Sequence, residues 1–528
     1  MTKNQNNGPR TERQFHLERY KNQFRENTKY GQDLLSFLEK SDCGVWKFEK
    51  DEADRRRWWL NVTLPKNVAE MFDAHLEIQL LYAEYEEVEP RLLELIQRRI
   101  SNNARLDQGI FMIASLDDDI EKMLRRRRGE FAAVALNLSG LKDADDEIRH
   151  RMSEVLTAVD HYDMTIPVHN PSGFFGRKEE FQQIISSIES GQSVGIFGLR
   201  KTGKTSLLNY VAGKRRAAGK PVVVLDISGV NGATDFRVRL LEETWKCTGE
   251  LVKTRLPRLR TLNIHGEIKV TPELIDLHWL RDIETLAEAI GQRLEVFIDE
   301  IDQMHPDRSH LGDDADALLI AMTQLRGMVQ KAESGEGMVL TCAGVDPALF
   351  ERPLLRSGSD NLLYKLVRLL YLAPLSREEM AEMVRDLGRR MGVRVRDHNV
   401  IDFLFEEYGG HALLTRKACS LASKQRNKDQ IPWHMTLESV QDVAKLTAEG
   451  APLRQAGEIL TSFGEWFPEE AQTLRELWSA DNETRYLAEM IVADGPELLA
   501  HAGPYGLLFE ETGLPRIRAV KKAVSEYD

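Results

Sequence analysis

The sequence predicts an α/β protein with a parallel sheet at its centre, and three observations support this fold class. Apolar runs of strand length alternate with helical segments between residues 168 and 375. A glycine- and lysine-rich turn follows the first of these runs, and two acidic residues end a later one. A second alternation of strands and helices precedes them, between residues 31 and 165. Parallel strands joined by helices bury both faces of their sheet, which explains why the runs are continuously apolar.

The composition is that of a globular protein with several domains. The chain has 528 residues, of which 42% are hydrophobic and 29% charged, and this length predicts about three or four domains. The net charge of −13 argues against a surface devoted mainly to nucleic acid. The four cysteines show no metal-ligand spacing, and neither a signal peptide nor a run of ~20 apolar residues is found. We expect a cytoplasmic protein that does not enter a membrane.

Residues 1–30 form a polar segment with seven basic and three acidic residues. This composition predicts a flexible, solvated tail. A nucleic-acid-binding arm is the alternative that the charge leaves open.

Residues 31–165 predict a small three-layer α/β domain with a mainly parallel sheet, because strands and helices alternate along the segment. The predicted strands are Trp58–Leu64, Glu77–Tyr82, Gly109–Ser115 and Phe131–Leu136.

An acidic trio, Asp117–Asp119, follows the third of these strands. Such a trio either caps the next helix, which is the commoner case, or forms a site at the strand end. A restriction-type nuclease needs an acid on one strand and Glu-x-Lys or Asp-x-Lys on the next, and this pair is not found. We therefore predict a sensing domain that folds alone and binds a partner protein or another copy of the chain. An effector enzyme is the alternative.

The turn Gly198–Thr205 fits G-x-x-x-x-G-K-[ST], the phosphate-binding loop (P-loop) of nucleoside triphosphatases, between a strand and a helix. Glycines let the backbone N–H groups turn toward phosphate oxygens, and the helix N-terminus favours negative charge. Lys204 would reach the β- and γ-phosphates, and the Thr205 hydroxyl would hold Mg²⁺. The predicted nucleotide-binding residues in this turn are Gly198, Arg200, Gly203, Lys204, Thr205 and Ser206.

The run Leu294–Glu300 predicts a buried parallel strand that ends in two acids. Its carboxyl end would lie beside the P-loop, where open α/β sheets bind ligands. Asp299 is placed to support Mg²⁺, and Glu300 to orient or deprotonate an attacking water. Helix capping is the alternative for both acids. The predicted cofactors are ATP and Mg²⁺.

The box Phe174-Phe175-Gly176-Arg177, taken with these two motifs, resembles a known family. From about residue 170 to 528, the chain is similar to the STAND and origin-recognition-like branch of AAA-type ATPases, and within it to the prokaryotic group resembling archaeal ATPases. The resemblance implies a parallel-sheet P-loop ATPase core (168–375), a helical lid (376–430) and a C-terminal winged helix (431–528).

The resemblance also implies roles for three residues outside the two motifs. Arg177 would contact the nucleotide, and Thr341 would sense the γ-phosphate and the attacking water. His411, after the glycine pair Gly409-Gly410, would approach the nucleotide, although a buried structural histidine is an equally good interpretation.

Winged helices in such ATPases either bind DNA or lock the nucleotide site. The basic residues of this segment are few and diluted by acids, which favours the lock; the basic cluster is Arg516, Arg518, Lys521 and Lys522.

The sequence thus predicts an ATP hydrolase that acts as a nucleotide-dependent conformational switch. The resemblance implies a setting in prokaryotic stress or antiviral (phage) defence. One alternative is a DNA-binding initiator or regulator that uses its winged helix. Another is an effector enzyme in residues 31–165 under ATPase control.

Overall fold

The computed structural model describes residues 12–72, 74–75, 77–126, 132–143, 148–157, 160–163, 175–252, 256–304, 314–354, 358, 360–425 and 432–527. The chain divides into two compact units. The first unit consists of residues 1–164, 381–401 and 419–440, and the second of residues 165–380, 402–418 and 441–528. The boundary predicted near residues 165–168 and Phe174 lie outside the described residues.

The first unit contains a five-stranded sheet whose strands lie in sequence order. Its strands are β1 Gly44–Lys50, β2 Arg57–Thr63, β3 Glu77–Ala83, β4 Leu106–Ser115 and β5 Ala132–Asn137. Its helices before residue 164 are α1 Glu12–Glu26, α2 Gly31–Lys40, α3 Lys66–Phe72, α4 Arg91–Ser101, α5 Ile120–Arg126 and α6 Ile148–Thr157.

This sheet is mixed, which corrects the prediction of a mainly parallel one. β1 pairs antiparallel with β2, and β2 with β3, whereas β3, β4 and β5 are parallel. The turn between β1 and β2 is too short for the crossover that a parallel pair requires. β1 escaped prediction because it is an edge strand with mostly exposed or half-buried residues and no apolar run.

Helix α1 corrects the prediction of a flexible tail over residues 1–30, of which residues 1–11 are not described. Phe24 near its end is fully buried. Its ring centroid lies 5.5 Å from that of Phe48, 5.4 Å from that of Trp58 and 5.1 Å from that of Tyr82. This one aromatic residue holds a polar helix in place. The average composition of residues 1–30 does not indicate such a contact.

The acidic trio after β4 makes local structural contacts. The two carboxylate oxygens of Asp117 accept hydrogen bonds from the backbone N–H groups of Val88 (2.9 Å) and Asp119 (2.8 Å). Asp118 accepts a hydrogen bond from Asn137, and Asp119 pairs with Lys122. These contacts favour capping over a site at the strand end.

The second unit contains a five-stranded, fully parallel sheet, which confirms the predicted fold class. Its strands, in the spatial order β10-β6-β9-β8-β7, are β6 Val194–Phe197, β7 Val222–Asp226, β8 Leu294–Asp299, β9 Met338–Gly344 and β10 Arg368–Tyr371. Its helices up to residue 351 are α7 Lys178–Ser190, α8 Lys204–Ala217, α9 Ala233–Leu251, α10 Pro272–Ile290, α11 Asp314–Gln324, α12 Arg326–Gln330 and α13 Ala348–Glu351.

The region predicted as a separate lid does not form a unit of its own. Each boundary between the two units in this region falls inside a helix. The helices are α14 Arg377–Arg389, α15 His398–Tyr408, α16 Ala412–Ser423 and α17 Leu437–Ala444. Residues 381–401 belong to the first unit, where Arg389 donates a hydrogen bond to the buried Asp107 (2.8 Å). A short parallel pair, β11 Val393–Arg394 and β12 Trp433–His434, lies in the same unit.

The second unit ends in a C-terminal helical domain, residues 452–527. Its helices are α18 Pro452–Trp466, α19 Pro468–Leu477, α20 Asn482–Asp494 and α21 Arg518–Tyr527. An isolated antiparallel bridge joins Leu508 to Pro515 just before α21. The winged-helix designation stays a prediction. Among the described helices of the chain, none is both long and apolar enough to cross a bilayer.

Candidate functional site

The P-loop lies at the carboxyl edge of the parallel sheet, between β6 and α8. Its backbone requires glycine at two points. A Cβ on Gly198 would lie 2.6 Å from the carbonyl oxygen of Leu372, and Gly203 has φ +100°. The loop therefore follows a path that other residues would strain, and it delivers Lys204 to the first position of α8.

Lys204 is buried within this loop. Its Nζ donates hydrogen bonds to the carbonyl oxygens of Gly198 (3.0 Å) and Leu199 (2.8 Å). Burial lowers the pKa of Lys204, while the charges of Asp302, Glu300 and Asp299 act in the opposite direction. The charges of three acidic side chains thus act on this one lysine.

Thr205 and Asp299 lie within hydrogen-bonding reach of each other. Burial raises the pKa of Asp299, and a hydrogen bond with the Thr205 side chain partly offsets this. A hydroxyl and a carboxylate are the oxygen ligands that Mg²⁺ prefers, and they occupy one point of the site. The residues present therefore fit the predicted metal: Thr205 and Asp299 would hold it, and it would supply positive charge to the phosphate oxygens.

Glu300 has φ +56°, an uncommon backbone conformation for a residue with a side chain. Such conformations cluster at functional sites, where the surrounding structure enforces them. Burial raises the pKa of Glu300, the charge of Asp299 adds to the effect, and Lys204 opposes it. A carboxylate with a raised pKa is a better proton acceptor, which suits a general base.

Thr341 does not lie at the carboxyl edge, and its predicted role as a sensor is corrected. β9 continues to Gly344, and Thr341 pairs with Val194 and Phe297 inside the sheet. It is three residues short of the strand end, or roughly 10 Å at 3.3 Å per residue. Gly344 instead pairs with Phe197, beside the start of the P-loop. The sequence did not reveal this position, because the apolar run does not indicate where the strand ends.

Arg177 contacts the P-loop, while its predicted contact with the nucleotide stays a prediction. Its guanidinium donates to the carbonyl oxygen of Thr202 (3.3 Å) and to Glu180 (3.0 Å), and the side chain is almost fully buried. Its backbone N–H donates to Glu379 at the start of α14 (2.7 Å). A Cβ on Gly176 would lie 2.6 Å from that carboxylate, so glycine is needed for the approach.

His411 is fully buried and also contacts the P-loop. Its Nε2 lies 3.2 Å from the carbonyl oxygen of Arg200. Burial lowers the pKa of His411 to about 4, against the effect of this hydrogen bond. A neutral ring that donates from Nε2 and accepts the Leu414 N–H at Nδ1 (3.5 Å) satisfies both contacts. The structure favours the structural interpretation, since the ring positions the loop backbone.

The other two predicted P-loop residues have different environments. Ser206 is half-buried in α8. Arg200 is exposed, with its guanidinium 4.0 Å from the Glu465 carboxylate in the C-terminal helical domain. Arg200 also acts on the pKa of Lys204 and Glu300, so its charge belongs to the site.

The C-terminal helical domain contacts the glycine pair Gly409-Gly410, here called the Gly-Gly turn. Arg516 donates hydrogen bonds to the carbonyl oxygens of Gly409 (3.1 Å), Pro374 (2.9 Å) and Leu375 (3.1 Å). A Cβ on Gly410 would lie 1.9 Å from the Leu375 carbonyl oxygen. This packing fixes the residues that precede His411.

Sequence reasoning missed three residues at or near the site. Asp226 ends β7 and pairs with Asp299 across the sheet. Asp302 is almost fully buried, and burial followed by the charge of Glu300 raises its pKa to about 7. Its position three residues after Asp299 could have signalled it. Tyr505 is fully buried and donates a hydrogen bond to the carbonyl oxygen of Val345, beyond β9. No pattern in the sequence indicates that contact.

No family model and no curated protein matches the chain. Solved structures that are similar to it include a Walker-type ATPase of Pyrococcus abyssi, with 16% identity, a TM-score of 0.45 and coverage of 69% of this chain and 99% of that one. Cdc6p of Pyrobaculum aerophilum has 12% identity, a TM-score of 0.36 and coverage of 69% and 96%. A RuvB mutant of Thermotoga maritima has 14% identity, a TM-score of 0.31 and coverage of 56% and 79%.

Proposed function

We propose that the protein is an Mg²⁺-dependent ATP hydrolase that works as a nucleotide-dependent conformational switch. One observation carries the proposal: Lys204, Thr205, Asp299 and Glu300 converge at the carboxyl edge of a parallel sheet, on a P-loop backbone. This is the residue set that phosphoryl transfer to water requires.

Each residue has a separable role in this proposal. The P-loop N–H groups and Lys204 bind the phosphates. Thr205 and Asp299 hold Mg²⁺, which neutralises phosphate charge when bound. Glu300 orients a water molecule and accepts its proton.

The C-terminal helical domain would act as the lock of the switch. Two observations support this role over DNA binding. Three of the four residues in the predicted basic cluster make intramolecular contacts, namely Arg516 to three carbonyl oxygens, Arg518 to Glu406 and Lys522 to Glu407. The Arg516 contacts also lie on the Gly-Gly turn, next to a histidine that touches the P-loop.

The test is phosphate release from ATP by the full chain, with Mg²⁺ and with EDTA, beside Lys204→Ala. Mg²⁺-dependent hydrolysis that Lys204→Ala abolishes is the expected result. Equal hydrolysis by both proteins contradicts the site. For the switch, hydrogen exchange at residues 405–411 and 505–517 should slow with a non-hydrolysable ATP analogue and Mg²⁺. Unchanged exchange in both segments contradicts the lock.

A further inference from the structure

The carboxyl end of β9 lies between the two motifs of the site. β9 is flanked by β6, which leads into the P-loop, and by β8, which leads to Asp299. Gly344 ends the strand in register with Phe197 of β6. Val345 therefore follows directly at the edge where the nucleotide would bind.

The peptide groups of Val345 are held from opposite sides. The Val345 N–H donates to Oδ1 of Asp302 (3.2 Å), and the Val345 carbonyl oxygen accepts the hydroxyl hydrogen of Tyr505. A Cβ on Gly344 would lie 2.2 Å from Oδ1 of Asp302, so the glycine permits the first contact. Asp302, Val345 and Tyr505 are all buried. Water therefore cannot readily replace either hydrogen bond.

Asp302 connects the Val345 N–H to the reacting groups. Its Oδ2 is buried and has no hydrogen-bond partner among the described residues. Its charge acts on Lys204, and the charge of Glu300 acts on Asp302 itself. The Val345 N–H and the backbone of Asp302 itself orient the carboxylate. A shift of the Val345 N–H would therefore change the field at the lysine and at the general base.

Tyr505 is fixed by the C-terminal helical domain. Its ring lies among those of Tyr371 (5.7 Å), Phe467 (5.6 Å), His501 (5.8 Å) and Phe463 (6.1 Å), measured between centroids. A ring packed on these sides cannot rotate freely, so its hydroxyl follows the position of the domain.

We propose that Tyr505 is a positioning residue for ATP hydrolysis: its hydroxyl fixes the backbone of Val345, and through that residue it fixes the Asp302 carboxylate beside Lys204 and Glu300. The proposal rests on the proposed function. It adds that the helical domain acts on the chemical step and not only on nucleotide retention. Tyr505 touches neither nucleotide nor water in this role, so its loss should lower kcat and leave ATP binding unchanged.

The test compares Tyr505→Phe with Tyr371→Phe in the full chain. Both variants keep the ring and lose a hydroxyl from the same aromatic cluster, but the Tyr371 hydroxyl donates to Glu351 instead of the strand. We expect Tyr505→Phe to lower kcat by ~10- to 100-fold, the scale of a small misplacement. KM and the Mg-ATP affinity measured by calorimetry should stay within about threefold. Tyr371→Phe should keep kcat within about twofold of the parent.

Two further measurements separate positioning from loss of structure. Hydrogen exchange without nucleotide should quicken at residues 340–350 in Tyr505→Phe and not in Tyr371→Phe. The variant Asp302→Asn combined with Tyr505→Phe should be no slower than Asp302→Asn alone, because both substitutions act through the backbone of Val345. Multiplied effects in the double variant overturn the proposed route.

The outcomes distinguish this inference from the proposed function. If the parent hydrolyses ATP, Lys204→Ala does not and Tyr505→Phe keeps the parent kcat, only the inference fails. An equal loss in both tyrosine variants, or a matching loss of ATP affinity, also overturns it. If the parent hydrolyses no ATP, the proposed function and the inference fail together.

Discussion

Lys522 donates hydrogen bonds to both carboxylate oxygens of Glu407, each at 2.6 Å. Glu407 is almost fully buried, whereas half of the lysine side chain is exposed. The two residues join α21 to the last turn of α15, next to the Gly-Gly turn. The contact uses a positive charge that a DNA-binding surface would need.

Lys522→Gln should therefore lower the melting temperature of the chain. It leaves Glu407 buried without its cation, and the expected cost is about 1–2 kcal/mol after allowance for the exposed lysine. The matched control is Lys521→Gln, at an exposed lysine with no ion pair among the described residues. Fluorescence anisotropy of labelled duplex DNA should show no salt-dependent binding by the parent. Binding that Lys521→Gln and Lys522→Gln both weaken would restore the DNA-binding alternative.

Lys204→Ala should weaken Mg-ATP binding by roughly 10-fold or more, because it removes a charge-assisted contact to the phosphates. Isothermal calorimetry on the full chain measures this. Lys214→Ala, at the exposed end of the same helix, is the control and should bind as the parent does. Unchanged affinity in Lys204→Ala is incompatible with the site.

Glu300→Gln should keep Mg-ATP bound but slow hydrolysis by roughly 10²-fold or more, the usual scale for losing a positioned base. Calorimetry and steady-state phosphate release separate the two effects. Glu333→Gln, at an exposed residue of the same unit, should change neither. If Glu300→Gln hydrolyses ATP at the parent rate, the carboxylate only caps the chain that follows β8.

The environment of His501 predicts that the stability of the folded chain depends on pH. Burial alone would lower its pKa, but hydrogen bonds with Glu351 and Glu470 outweigh this and raise the pKa to about 9. The Phe467 ring is stacked on the imidazole, with centroids 4.2 Å apart. The folded state therefore holds the proton more tightly than an unfolded histidine with a pKa of about 6.5. The resulting stability is complete below pH ~6.5 and is lost as the pH rises through about 9.

Melting temperatures at pH 6.5 and pH 9 test this pH range. The free energy of unfolding is expected to fall by roughly 1–3 kcal/mol between the two. His501→Gln should reduce the difference between the two temperatures, whereas His434→Gln, at an exposed histidine, should not. The same difference in parent and His501→Gln would show that other groups cause it.

Arg389→Ala should destabilise the first unit strongly. Asp107 is fully buried and would keep its backbone donors at His75, Gly109 and Ile110 while losing the arginine that pairs with it. The expected cost is about 3–5 kcal/mol. Arg149→Ala, on an exposed residue of α6, is the control.

The same contact predicts that residues 12–164 alone fold poorly, contrary to the sequence prediction for residues 31–165. Circular dichroism of this fragment should show a broad or absent melting transition. A sharp transition at the parent temperature would mean that residues 381–401 and 419–440 add little to the unit.

The sequence predicted the site best where chemistry demands fixed spacing. The P-loop could be located because phosphate binding constrains glycine, lysine and threonine within eight positions, and Asp299 and Glu300 could be located because they end an apolar run. The predicted sensor role of Thr341 was wrong because the sequence of a buried strand does not indicate where the strand ends. Helix α1 was not predicted because one buried side chain, that of Phe24, holds the segment in place. The Tyr505 contact could not be predicted, since it joins residues 160 positions apart through packing alone.

The Asp107–Arg389 pair also determines when the first unit can be completed during synthesis of the chain. The two residues are 282 positions apart. At 5–20 residues per second, a ribosome needs roughly 15 to 55 s to travel that distance. For that interval the nascent first unit has an interior carboxylate without its arginine, while the P-loop and all of the second sheet emerge behind it. Completion of the first unit therefore comes after most of the second unit has been synthesised.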